Sequence, residues 1–194
     1  MSRFTLIAKT VTKLGLQNVA RVTLYKLCLK AGWRPRPMPA PYPGGSVYAS
    51  VPEGQAADIG SAPVTISVFG WHPVTYAGPP DWHADPFQRA PRLNHDQDWV
   101  QALAGIGDGD VKNYWELSRF YWLPQFALAA RNSDVQARGR IELWLDDWIA
   151  SNSPFRGINW ACGQEAAIRL MNLALGALIL DTWRKPTPAM QWLV

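Results

Sequence analysis

Hydrophobic residues recur at helical spacing through the C-terminal half of the chain. Asp110 suits the N-cap of a helix from Val111 to about Ala130, in which Pro124 predicts a kink or an end to regular hydrogen bonding. A second helix is predicted from about Asp134 to Ala150, and a third from about Cys162 to Trp183. Because the connecting loops are short, we expect an all-α fold of antiparallel helical hairpins.

The N-terminal half has a different pattern. Apolar residues alternate with Lys and Arg over residues 5–31, which predicts an amphipathic helix or a helix pair divided at Gly15. Prolines at every second position from 35 to 43 predict an extended strap. Residues 46–109 are loop-rich and aromatic, with one short strand predicted at Val64–Phe69. The expected organisation is a helix and strap over 1–45, an aromatic segment over 46–109 and helical hairpins over 110–194.

Charge is distributed unevenly along the 194 residues. Residues 1–36 contain eight Lys or Arg and no acid, whereas the remainder has 11 basic and 15 acidic residues. A nucleic-acid-binding domain would carry its positive charge through the folded part, so no nucleic-acid partner is predicted. The basic segment predicts either a surface helix docked on the body or peripheral contact with an anionic membrane. The 11 Trp suit a bulky core or the apolar faces of sugar rings.

Several classes of protein lack support in the sequence. Cys28 and Cys162 are too few for a disulfide scaffold or a zinc site, and the three His have no ligand spacing, so no metal and no cofactor is predicted. The longest apolar run, at 170–180, is shorter than the roughly 20 residues that span a bilayer. Lysines interrupt the stretch where a secretory signal would be apolar. The sequence pattern by itself therefore favours the cytoplasm.

A narrow polar stripe interrupts the third predicted helix. Its members follow one another at steps of four, three and four residues, so they align on one face. They predict either the wall of a polar cleft or a surface ion pair between Glu165 and Arg169. The stripe consists of Glu165, Arg169, Asn172 and Gly176.

Other polar candidates lie beside aromatic residues. Glu116 and Arg119 are one turn apart in the aromatic helix, where they must form an ion pair or face a wet cavity. Asn159 and Trp160 could hold a sugar hydroxyl and a ring face, or act as a cap and a core residue. The loop at 81–86 places Trp82, His83 and Asp85 together.

Four blocks of residues resemble the N-terminal half of the heparinase II/III family of polysaccharide lyases, over about residues 10–194. The resemblance lies in their order and spacing. The blocks are Asp81–Pro86 (DWHADP), Gly109–Arg119 (GDVKNYWELSR), Trp144 with Trp148, and Pro154–Trp160 (PFRGINW) followed by Glu165, Ala166 and Arg169.

The resemblance implies a partial α/α toroid that a β-sandwich follows, and cleavage of uronic-acid polysaccharides by β-elimination. That chemistry needs a group that neutralises the uronate, a base and an acid. In the family these are an Asn or His, a Tyr and a His, with the Asn often in an Asn-Asn-His segment. This sequence has no such segment and no room for the sandwich. We therefore expect either a fragment inactive without its C-terminal domain or a non-catalytic relative; the family tendency is periplasmic.

The residues that carry over are the expected walls of a cleft for acidic polysaccharide. Arg119 and Arg169 are expected to meet carboxylates, and Asn159 is expected to meet hydroxyls. Trp160 is expected to stack on a sugar ring. The full set is Trp82, His83, Asp85, Trp115, Glu116, Arg119, Asn159, Trp160, Glu165 and Arg169.

Two alternative functions remain open from the sequence. One is a non-catalytic module that binds acidic glycan or serves in assembly. The other is an α/α-toroid glycoside hydrolase, which would need two carboxylates about 5–9.5 Å apart. Asp85 and Glu116 are the pair that the sequence offers for it.

Overall fold

The computed structural model describes residues 12–13, 15–31, 41–48 and 62–193. The chain divides into two units, Met1–Pro39 and Ala40–Val194. Within the described ranges, none of the helices combines the length and the apolar character that crossing a bilayer requires.

The first unit contains helix α1, Leu16–Lys30. Gly15 precedes it with φ +77°, a left-handed conformation that glycine adopts without strain. The predicted break at Gly15 is therefore confirmed. Residues 5–11 of the predicted helix and most of the proline strap lie outside the described residues.

The second unit begins with an irregular segment that docks on its helices. Val47 and Tyr48 are buried, and their backbone N–H groups donate to the two oxygens of Glu142 at 2.8 and 3.1 Å. Thr187 donates its hydroxyl to the carbonyl of Val47, 140 residues earlier, at 2.7 Å. Segment 41–48 thus lies against both the middle and the last part of this unit.

Residues 62–109 are more ordered than the sequence analysis expected. Strand β1 (Val64–Val68) pairs with strand β2 (His72–Tyr76) in an antiparallel hairpin, with Val68 opposite His72. The sequence pattern missed β2 because Pro73 lowers its strand propensity. It also missed helix α2 (Trp99–Ala104), which Asp98 caps by accepting the N–H of Val100.

The helical part follows the predicted order, and the chain is mostly helical, about 52%. The predicted 134–150 helix is confirmed, with Asp134 as its N-cap. A 3-10 turn, Ile158–Trp160, precedes the helix that contains the polar stripe. The helices are α3 (Val111–Ser118), α4 (Trp122–Arg131), α5 (Val135–Ser151), α6 (Gly163–Ile179) and α7 (Pro188–Leu193). A toroid of helical hairpins stays a prediction from the resemblance.

The single helix predicted over 111–130 is wrong, because the chain breaks between α3 and α4. Phe120 adopts φ +63° at the break, and its buried ring packs edge-on against Trp122 and Trp148. Pro124 falls in the first turn of α4, where no intrahelical N–H bond is lost, so it produces no kink. The third predicted helix also ends earlier, at Ile179, and Asp181 follows with φ +55°.

The core of the second unit is built from aromatic side chains. Trp144 lies at its centre, with its ring centroid 5.0 Å from Trp122 and 6.2 Å from Trp82. Tyr76 of the hairpin packs edge-on against the same indole. The aromatic segment therefore packs on the helices. One face of α6 remains exposed and apolar: Leu170, Met171, Leu175 and Leu178.

Gly176 is predicted to be required for the packing of α6. A Cβ atom there would lie 2.2 Å from Leu123 Cδ2 and 2.7 Å from the Tyr48 hydroxyl, inside the core. We expect Gly176→Ala to lower the free energy of unfolding by about 1–3 kcal/mol, because overpacking outweighs the better helix propensity of Ala. Urea denaturation measures the effect. Gly163→Ala, on the same helix with nothing within 4 Å, is the control and should be near neutral; equal losses would contradict the packing argument.

Candidate functional site

Arg119 joins two carboxylates that come from different parts of the fold. Its Nε and Nη2 donate to the two oxygens of Glu165 at 2.6 and 2.8 Å, and its Nη1 donates to Glu116 Oε2 at 2.9 Å. These bonds, above all those to Glu165, raise the pKa of Arg119 above its usual range. Glu116 Oε1 also accepts the backbone N–H of Phe69 at 2.7 Å. The Glu116–Arg119–Glu165 cluster thereby connects the end of α3, α6 and the hairpin turn.

An open cavity of about 520 Å³ lies beside this cluster, and we call it the Arg119 cavity. Its volume is in the range of small-molecule sites. Three of the five guanidinium N–H groups of Arg119 donate to carboxylates, and the other two have no acceptor among the described residues. Tyr121 is half-exposed at the cavity. The lining residues are Ser67, Phe69, Gly70, Glu116, Arg119, Tyr121 and Gln125.

Asn159 is completely buried where the 81–86 loop, the end of α5 and helix α6 meet. Its Nδ2 donates to the Trp82 carbonyl at 3.1 Å and to Asn152 Oδ1 at 2.9 Å. The backbone carbonyl of Asn159 accepts from Arg169 Nη2 at 2.9 Å. Asn159 Oδ1 has no hydrogen-bond partner within the described part of the chain. Asn159 therefore holds the 81–86 loop against the start of α6, and its amide N–H groups are committed to the protein.

Arg169 is buried between two indoles. Its guanidinium lies 5.1 Å from the Trp148 ring centroid and 5.4 Å from that of Trp160. Burial lowers the pKa of Arg169 to about 10, so the side chain stays protonated at neutral pH. Among the described residues it forms no ion pair, which corrects the alternative of a surface pair with Glu165. Glu165 instead receives the bidentate fork of Arg119.

The 81–86 loop is held by internal hydrogen bonds. Trp82 Nε1 donates to Asp147 Oδ1 at 2.6 Å, and Asp85 accepts the backbone N–H groups of Phe87 and Arg89. His83 Nε2 donates to the Ser151 carbonyl at 3.0 Å, which assigns the Nε2–H tautomer. Burial lowers the pKa of His83, whose Nδ1 lacks a partner within the described chain.

A second cavity, of about 310 Å³, lies at this loop; we call it the His83 cavity. Its wall combines two carboxylates, two imidazoles and one guanidinium with two adjacent prolines. Arg92 already pairs there with Asp81. The lining residues are Pro79, Pro80, Asp81, Trp82, His83, Arg92, His95, Asp147 and Ser151.

Of the ten residues expected to line one cleft, six line three separate cavities and four line none of these three. Glu116 and Arg119 line the Arg119 cavity, and Trp82 and His83 line the His83 cavity. Trp160 and Arg169 line a third cavity of about 60 Å³ with mostly apolar neighbours. The remaining four residues are held by hydrogen bonds within the fold: Asp85, Trp115, Asn159 and Glu165.

The expected ligand roles correspond to internal contacts in the structure. The carboxylates that Arg119 meets are its own neighbours, and Trp160 faces the Arg169 guanidinium. Trp115 Nε1 donates to the Ile158 carbonyl at 2.9 Å, which fixes the 3-10 turn against α3. These residues therefore build the scaffold around the cavities more than they line one groove.

Sequence reasoning missed several polar residues of this region. Asn152 caps the C-terminal end of α5 by donating its side-chain amide to the Trp148 carbonyl. Its Oδ1 accepts the Asn159 amide, and its backbone carbonyl accepts the indole N–H of Trp160. Its position directly after a predicted helix was the available signal. Tyr121 and Gln125 of the Arg119 cavity gave no signal, because the continuous helix predicted over 111–130 does not show which residues the break at Phe120 brings to a cavity. No group of three or more potential metal ligands occurs in the ranges that the structure describes.

No protein-family model, curated protein or solved structure matches this chain. The arrangement of its own residues is therefore the basis for assigning a function.

Loss of Arg119 is predicted to be strongly destabilising. Arg119→Leu would leave two buried carboxylates without their cation, and we expect the free energy of unfolding to fall by about 3–5 kcal/mol. The control is Arg92→Leu, which breaks the exposed pair with Asp81 and should cost less than about 1 kcal/mol. Urea denaturation of both variants tests this, and similar losses would contradict the assigned role of the cluster.

His83 is predicted to make stability depend on pH in the acid range. The unfolded chain protonates this imidazole near its ordinary pKa, about 6.5, whereas burial keeps it neutral in the fold. Its contribution is therefore complete above about pH 6.5 and is lost as the pH falls below that value. His83→Gln retains an N–H for the Ser151 carbonyl and cannot titrate, so its stability should fall less between about pH 7 and pH 5.

Unfolding midpoints across that pH range test the His83 assignment. His95→Gln is the matched control, because the His95 side chain is 42% exposed. Its ring lies 5.6 Å from that of His83 and lowers the pKa of His83 less than burial does, so this variant should keep most of the acid loss of the natural chain. An identical pH dependence for His83→Gln and the natural chain would contradict the assignment.

Proposed function

We propose that this chain is the N-terminal helical part of a heparinase II/III-like polysaccharide lyase, and that it holds an acidic polysaccharide without cleaving it on its own. The supporting observation is that the four blocks of the resemblance contact one another. Trp82 meets Trp144 and Asn159, Ser118 accepts the indole N–H of Trp148, and Arg119 pairs with Glu165. Separate blocks that share one contact network are expected if a common scaffold retains them.

The Arg119 cavity is the proposed position for a sugar unit. Its wall supplies carboxylate, guanidinium and amide groups for hydroxyls, and Tyr121 supplies a half-exposed ring for a sugar face. Two carboxylates more than balance the charge of Arg119, so its two remaining N–H groups would bind a uronate by hydrogen bonding and not by net charge. Preference for an acidic glycan comes from the resemblance.

A binding role for the chain by itself follows from the distribution of candidate catalytic groups. β-Elimination needs a base and an acid within hydrogen-bond reach of one sugar. The Arg119 cavity contains Tyr121 without a histidine, and the His83 cavity contains His83 and His95 without a tyrosine. No such set is assembled at either of these two cavities, so cleavage would require residues beyond them.

The glycoside hydrolase alternative has no supporting observation. Glu116 is committed to Arg119 and the N–H of Phe69, and Asp85 is committed to two backbone N–H groups. Only Glu116 of this pair lines either of the two larger cavities. The two carboxylates therefore share no cavity in which an acid and a base could flank one glycosidic bond.

The proposal predicts binding without product formation. The full chain is titrated with heparan sulfate, alginate and neutral dextran, and tryptophan fluorescence reports binding while ultraviolet absorbance reports unsaturated uronate. We expect binding of an acidic polymer, weaker binding of dextran and no new absorbance. Tyr121→Ala should weaken binding about three- to tenfold, because the ring-stacking surface is lost.

Trp183→Ala is the control for this titration, since Trp183 is also exposed and lies outside the three cavities. It should bind like the natural chain. Equal binding of dextran, or no binding at all, would contradict the proposed glycan class. Unsaturated product from this chain alone would contradict the purely binding role.

A further inference from the structure

Helix α1 leaves large apolar side chains in water. Leu16, Leu24 and Leu27 are 78, 63 and 58% exposed. Helical spacing places these three leucines on one face, together with Val19, Ala20 and Thr23, whereas Val22 and Tyr25, 50 and 55% exposed, lie on the opposite face. A 15-residue helix is marginally stable in water by itself, and its leucines gain free energy when a partner covers them.

The charge around this face has a single sign. The sequence of α1 contains Arg21, Lys26 and Lys30 and no acidic residue, and residues 1–36 together carry eight basic side chains. Long basic side chains can place their charge at a polar boundary while their methylene stems stay with apolar groups. The combination therefore complements a surface that is anionic outside and apolar a few ångströms below.

We propose that α1 is a surface anchor that lies in the interface of an anionic lipid bilayer. The leucine face enters the acyl boundary, and the basic side chains contact headgroup phosphates and carboxylates. An acidic polysaccharide or a nucleic acid would engage the same charges but would leave Leu16, Leu24 and Leu27 in water. The exposed leucines therefore favour a membrane over a soluble polyanion. This inference is independent of the proposed glycan function.

Sedimentation with lipid vesicles tests the anchor. The full chain is incubated with phosphatidylcholine vesicles that contain about 30% phosphatidylserine, and separately with vesicles of phosphatidylcholine alone. We expect preferential binding to the anionic vesicles that weakens as salt rises, since each basic residue near the surface contributes about a fivefold gain in partitioning. Equal binding to both vesicle types would overturn the proposal.

Paired substitutions separate the leucine face from apolar surface in general. Leu24→Ser with Leu27→Ser keeps every charge and should reduce partitioning at least about tenfold. Met171→Ser with Leu178→Ser on α6 is the matched control, because these residues are 62 and 55% exposed, and it should bind like the natural chain. Both variants alter exposed residues, so the unfolding transition of residues 40–194 should persist and serves as the folding check.

The remaining outcomes also decide the proposal. Unchanged vesicle binding by the Leu24/Leu27 variant would mean that charge alone is responsible, and an equal loss in the α6 control would assign the effect to another surface. Either result overturns the anchor. Retention on immobilised heparin without vesicle binding would identify a polyanion as the partner and would also overturn it.

Discussion

The architecture of residues 40–194 depends on one cation that is shared by two buried carboxylates. Arg119 stands directly after α3, where the chain reverses through Phe120, and it reaches Glu165 on α6 and Glu116 on its own helix. Glu116 in turn binds the hairpin turn. Neither carboxylate could be buried alone at acceptable cost. The bidentate fork therefore orients three elements at once, and the cavity beside it is lined by residues of the hairpin, of α3 and of the start of α4.

A second constraint comes from polar groups placed between indoles. Arg169 is held by the faces of Trp148 and Trp160 and by the carbonyl of Asn159. Asn159 donates to Asn152 and to the Trp82 carbonyl, and Asn152 donates to the Trp148 carbonyl. Such a network specifies one arrangement of aromatic side chains, because any other packing would leave buried donors without acceptors.

Local periodicity predicted the helical regions well and the connections poorly. The Asp110 and Asp134 caps and the helix at 135–151 follow from side-chain chemistry within a few residues. The break at Phe120 arises because its ring packs against Trp122 and also against Trp148, almost 30 residues later, which a local pattern cannot show. Strand β2 depends likewise on its pairing with β1, despite Pro73.

For the candidate site, the sequence identified polar residues that interact in the fold, but it did not show which partners their side chains would reach. Spacing indicated correctly that Glu116 and Arg119 form an ion pair, but Glu165 and Arg169 have partners on other elements. The ten residues selected by resemblance were expected to line one cleft, but they support the fold around separate cavities. Local spacing could not show this, because the packing of distant elements decides which side of a helix is covered. Tyr121 became accessible only through the break that the local pattern did not reveal.

The contact of segment 41–48 with the last helix has a consequence for biosynthesis. Tyr42 packs edge-on against Trp192, and Val47 receives the hydroxyl of Thr187 across 140 residues. A chain leaving the ribosome presents its N-terminal end first, so these early residues complete their contacts only after Thr187 and Trp192 have been synthesised. Until then Val47 and Tyr48 can bind Glu142 but lack their final cover. Completion of this body therefore comes after synthesis of α7, and until then part of its aromatic core stays uncovered.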